Sequence, residues 1–138
     1  MRCPDSSVLV AGFVPAHPFF SVAQAALARV RREGSLVAHT IAEAMAVLTA
    51  GPFLAAPDRI HQYLQPLLAR QPVGIEPADY PAAIEELTRA DVSGGALYDG
   101  LIAIGAREAG ATLLSLDARA AGTYERSGVS FELLVPRR

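Results

Sequence analysis

ALYDGLIAIGAREAGATLLSLD, residues 96–117, is the stretch from which the fold is read. Its first fifteen residues have helical patterning and close at Gly110, the residue type that best ends a helix. TLLSL, residues 112–116, follows as an apolar strand and stops at Asp117. Downstream, ARAAGTYERSG (118–128) predicts a last short helix and FELLV (131–135) a final strand. Upstream, ADVSGG (90–95) has turn chemistry, ADYPAAIEELTRA (78–90) predicts a helix, and VGIEP (73–77) predicts a short strand stopped by Pro77. Residues 52–71 set Pro57 and Pro66 around IHQYLQPLLAR and predict a helical hairpin. SLVAH (35–39) reads as a buried strand and TIAEAMAVLTAG (40–51) as the helix after it. From Pro18 to Gly34, Phe20, Ala23, Leu27 and Val30 share one helical face. Residues 1–10 read as a first strand carrying Asp5, with Gly12 and Pro15 breaking the pattern. Strands alternating with helices predict one α/β domain over residues 1–138, a parallel sheet flanked by helices on both faces. In such sheets, sites form at the carboxyl ends of the strands.

Composition narrows the chemistry. All twelve basic residues are arginine, so mechanisms that need a lysine are excluded. Arg29, Arg31 and Arg32 form one basic group and Arg137 and Arg138 another, suited to bidentate phosphate contacts, although the formal charge of −2 does not announce a nucleic-acid binder. Cys3 is the single cysteine, which rules out an intramolecular disulfide and a cysteine-rich metal site. No basic region followed by a long apolar run opens the chain, and Pro, Asp, Arg or Glu interrupts each apolar run before it reaches spanning length. A soluble cytoplasmic protein without a membrane segment is expected. No internal repeat and no Gly-rich phosphate loop is present.

Four acids stand apart from the others. Asp5 and Asp117 each follow a strand, which brings them to the functional rim; each also suits the N-cap of a following helix, and the residues alone leave both roles open. Asp99 has Gly95, Ala96, Ile102 and Ala103 as its helical neighbours, and an ionised carboxylate on so apolar a face costs several kcal/mol unless paired or bound to a cation. Glu43 repeats the anomaly beside His39, Thr40, Ala46 and Val47. A face turned to solvent or paired with arginine is the alternative for both. By contrast Glu33, Asp58, Glu85, Glu86, Glu108, Glu125 and Glu132 read as solvated, Glu76 and Asp79 as marking a helix start, and Asp91 as part of a turn with Ser93 and Gly94. If Asp5, Glu43, Asp99 and Asp117 converge, they stay ionised together only with divalent cations among them. All-oxygen ligands select Mg²⁺ or Mn²⁺ over zinc, and such sites hydrolyse phosphodiesters by in-line displacement.

PDSSVLVA, IAEAMAVLT, SGGALYDGLIA and LLSLDARA occur in that order along nearly the whole chain. Together they resemble the motifs of PIN-domain VapC toxins of bacterial toxin–antitoxin pairs, SGGALYDGLIA being the most specific. The resemblance implies a parallel sheet sandwiched by helices and Mg²⁺- or Mn²⁺-dependent RNA cleavage, with Asp5, Glu43, Asp99 and Asp117 at the matching positions. It further implies that Ser7 orients Asp5 or the water at the site, that a VapB-like antitoxin lays its C-terminal segment over the acids, and that the chain pairs as a homodimer within the complex. Phe19, Phe20, Phe53 and Leu54 are apolar material for the antitoxin groove, and core packing explains them equally well. Arg119 reads as pointing to solvent, His17 and His39 as surface or core-edge histidines, and Tyr98, Phe19 and Phe20 as packing. A catalytically silent PIN-like RNA-binding or regulatory domain is the alternative, against which the four intact acids argue. A phosphoacceptor receiver needs a lysine, and a haloacid-dehalogenase-like phosphatase needs an Asp where Ser7 stands.

Overall fold

A computed structural model describes residues 1–135; the arginine pair Arg137 and Arg138 lies outside the described residues. The chain starts with β1 (Arg2–Pro4), α1 (Ser6–Phe13), α2 (Phe20–Glu33) and α3 (Ala38–Thr49). It continues through α4 (Pro57–Leu64), α5 (Tyr80–Arg89) and α6 (Ala96–Glu108) to β2 (Thr112–Ser115), α7 (Ala121–Ser127) and β3 (Ser130–Leu133). The strands form a parallel sheet in the order β1-β2-β3, with Cys3 beside Leu113 and Leu113 beside Phe131.

Alternation along β2 sends side chains to two cores. Leu114 joins α1, α2, α3 and α4 in one cluster, with Leu9, Leu27, Leu48 and Leu64. Leu113 and Cys3 join Ile102 of α6 and Tyr124 of α7 in the other. Helices therefore cover both faces of the sheet, as the sequence predicts.

Three expected elements differ. The first strand ends at Pro4, and residues 6–13 are helical: the Asp5 side chain accepts from the Ser7 and Val8 N–H groups, and this cap outweighs the strand preference of Val8 and Val10. Gly12 lets this helix pack closely on its neighbours, because a Cβ there would lie 2.5 Å from Leu27 Cδ1 and 2.7 Å from the Tyr63 hydroxyl. The strands expected at 35–39 and 73–77 reduce to one parallel bridge, Val37 with Val73. Pro72 and Pro77 lack the N–H that a longer ladder requires, and α3 already starts at Ala38. Ser35 N–H still donates to the Arg2 carbonyl at 3.2 Å, so this bridge extends the β1 edge. The expected hairpin over 52–71 is α4 running directly into a 3₁₀ turn, Gln65–Leu68, whose Pro66 tightens the chain without reversing it.

Candidate active site

Asp5 continues the β1 ladder, its N–H donating to the Leu114 carbonyl at 2.9 Å, and its side chain is 3% exposed. Oδ1 accepts from Ser7 N–H at 3.0 Å, from Val8 N–H at 3.4 Å and from the Ser7 hydroxyl; Oδ2 accepts from the Tyr124 hydroxyl at 2.7 Å. Burial raises its pKa, and the hydrogen bonds from Ser115, Ser7, Tyr124 and Val8 act in the opposite direction. Ser7 Oγ also accepts from Leu116 N–H at 2.9 Å, tying the end of β1 to the end of β2.

Glu43 projects from α3, where the Ser6 hydroxyl donates to its Oε1. Asp99 lies in the first turn of α6, at the end where the helix dipole favours a negative charge. Gly100 beside it brings α6 close to α5, since a Cβ would meet Leu87 Cδ2 at 2.5 Å. Asp117 follows β2 and caps the short 3₁₀ turn Ala118–Ala120, accepting from Arg119 N–H at 2.9 Å.

Asp99 lies within electrostatic reach of the other three acids. The Asp99 pKa rises to about 6, first through burial and then through the negative charges of Glu43, Asp5 and Asp117, with Arg119 pulling it down. Carboxylates that repel one another in this way, offering only oxygen donors, have the chemistry that suits a hard divalent cation. As they stand, no group of three or more His, Cys, Asp or Glu side chains among the described residues is disposed to close on a metal ion. The fit therefore rests on donor type and charge.

Tyr124 escapes a reading by periodicity, yet it is fully buried and its phenol is pushed well above the usual range by burial and then by the Asp5 charge. The signal was a tyrosine on the apolar face of a short helix, whose hydroxyl must find a partner when buried. Ser6 was missed as well. Tyr98 corrects the packing reading: it is 52% exposed and stacks on His39, with centroids 5.2 Å apart and planes 9° apart. Phe19 is exposed too. A cavity of about 400 Å³ joins Ser6, Ser7, Asp117 and Arg119 to His17 and Phe19. A larger one, about 630 Å³, lies at the far end of α6 by Arg107 and contains none of the four acids, so size does not identify the site.

The family model described as the PIN domain matches residues 2–125. Ribonuclease VapC40 of Mycobacterium tuberculosis is 39% identical over 136 residues, covering 97% of this chain and 99% of its own. Ribonuclease VapC27 of the same organism is 33% identical over 132 residues, covering 91% and 90%. Among solved structures, FitAB bound to the IR36 DNA fragment superposes with a TM-score of 0.72 at 20% identity, over 100% of this chain and 99% of that one. FitAcB from Neisseria gonorrhoeae gives 0.66 at 21% identity, over 97% and 98%. At that identity the two structures speak for the fold.

Proposed function

Because the chain belongs to the PIN-domain family, together with the VapC ribonucleases it resembles over nearly its full length, we propose that it is the RNA-cleaving toxin of a toxin–antitoxin pair. RNA phosphodiester bonds are hydrolysed with Mg²⁺ or Mn²⁺ held by Asp5, Glu43, Asp99 and Asp117. The observation that supports this reading is the raised pKa of Asp99, caused first by burial and then by the charges of Glu43, Asp5 and Asp117. A divalent cation among these acids would offset that repulsion. When bound, the cation supplies Lewis-acid activation of water and of the phosphodiester.

The chain's own residues hold the acids in place. Ser7 and Tyr124 orient Asp5 from opposite sides, Ser6 orients Glu43, and the first turn of α6 carries Asp99. The partner is a small antitoxin that covers the acids, and the toxin pairs as a homodimer; the FitA–FitB assembly named in a structure of the same fold supports a protein partner. No helix among the described residues is long and apolar enough to cross a membrane.

Cleavage of single-stranded RNA in Mg²⁺, Mn²⁺, Ca²⁺ and EDTA tests the reading. Activity is expected with the first two, reduced in Ca²⁺ and absent in EDTA, and Asp99→Asn is expected to abolish it without unfolding the chain. Wild-type rates from Asp99→Asn, or undiminished cleavage in EDTA, would overturn the site assignment. Co-expression with the product of the adjacent gene tests the partner: relief of growth arrest and co-purification are expected.

A further inference from the structure

The cavity beside Asp117 has two kinds of wall. Asp117 is one of the four acids, Ser7 holds Asp5 and Arg119 lies beside Asp117, whereas His17 and Phe19 come from the turn before α2. Phe19 is 38% exposed, although nothing in the helix that follows requires an aromatic ring at the surface. Its backbone N–H donates to His17 Nδ1 at 3.1 Å, and the two rings lie 6.1 Å apart, tilted by 46°. With Nδ1 accepting, the neutral imidazole carries its proton on Nε2, so His17 offers a donor to a ligand and not a base. The Arg119 side chain is 94% exposed, reaches Asp117 only at 3.5 Å, and has a charge that is felt at Asp99. One cavity thus combines an exposed aromatic ring, an N–H donor and a guanidinium with Asp117, one of the four acids. These features match a planar base attached to a phosphate.

We propose that this cavity is the subsite for the nucleotide adjoining the scissile phosphate of a single-stranded RNA, with the base stacked on Phe19, an acceptor of the nucleotide on His17 Nε2–H, and the phosphate on Arg119. The assignment rests on the nuclease reading above and names where that site grips its substrate. Stacking tolerates every base, so any base preference at this position falls to His17.

The sequence contains no tryptophan, so Phe19→Trp introduces a single tryptophan, which can be excited apart from the tyrosines, into the cavity. In an Asp99→Asn background with Mg²⁺, short single-stranded RNA is expected to quench this tryptophan saturably. It should leave unchanged an Ile84→Trp control, on α5, which packs against α6 away from the cavity. In the active chain Phe19→Ala is expected to raise KM about tenfold, within the range that one base stacked on an aromatic ring contributes, with kcat held within about twofold. No quenching together with an unchanged KM, while the wild type cuts RNA, overturns the subsite and leaves the nuclease reading standing. Quenching by RNA in a protein that cleaves nothing in any metal supports the subsite and overturns the nuclease reading. An unchanged KM with loss of the co-purifying partner gives the cavity to that partner and overturns the proposal.

Discussion

Asp5 performs two tasks that sequence reasoning treats as alternatives: it caps α1 and it belongs to the acidic cluster. Asp117 does the same for the 3₁₀ turn after β2. The position of these acids after a strand was legible because both roles need it. Tyr124 was not legible as a partner of Asp5, since the two are 119 residues apart and no local period links them. Removing its hydroxyl leaves a buried carboxylate short of a donor, so Tyr124→Phe is expected to cost about 1–3 kcal/mol in denaturant unfolding and to slow cleavage. The pH dependence follows from Asp99, whose folded pKa of about 6 exceeds its ordinary 3.8. Between those values the native state binds more protons than the unfolded one, so stability falls as pH rises through the interval. Metal-free protein is expected to melt at a higher temperature at pH 5 than at pH 7. Asp99→Asn should flatten that difference, and a melting temperature that climbs from pH 5 to 7 would contradict the shared pocket.

At the scale of elements, the motif around α6 and β2 was legible because period and length agree there, and α6 and β2 form within a residue or two of expectation. The opening was misread because SSVLVAGF contains residues that suit strands, and only its side-chain cap and its contact with α2 decide for a helix. Gly12 tests that contact. Alanine would raise helix propensity by about 1 kcal/mol, yet its methyl group meets Leu27 and Tyr63, the latter pinned by its hydrogen bond to the Leu9 carbonyl at 2.8 Å. Gly12→Ala is therefore expected to be destabilising by about 1–2 kcal/mol net, read from urea unfolding. Glu86 gives the complementary case. The expected solvated side chain is instead paired with Arg107, at 2.7 and 3.0 Å, which lowers its pKa. At this half-exposed pair Glu86→Gln should cost no more than about 1 kcal/mol and leave cleavage unchanged.

For the whole molecule, the composition suggested arginines available to phosphate, and the fold commits several of them elsewhere. Arg2 pairs with Glu33, Arg29 with Glu132, Arg89 with Glu85 and Arg107 with Glu86. Apart from Glu85 and Arg89, which are four residues apart on one helix, this pairing depends on tertiary geometry and left no trace in the sequence, whereas the alternation that builds the parallel sheet did. With a net charge of −2 and four of its arginines held in ion pairs, the chain has fewer cations to offer phosphate than its composition suggests. RNA binding is expected to depend weakly on salt, with a logarithmic slope near −0.7 to −1.4, one or two phosphate contacts. A slope steeper than about −3 would overturn this expectation.

The hydrogen bond between Tyr124 and Asp5 also orders events during synthesis. All four acids have been added to a growing chain by residue 117, but the partner that fixes Asp5 comes seven residues later, in α7. A nascent chain halted before α7 carries the carboxylates without the hydroxyl that orients the first of them. The last hydrogen bond to Asp5, the one to its Oδ2, therefore forms only when nearly the last helix has been made.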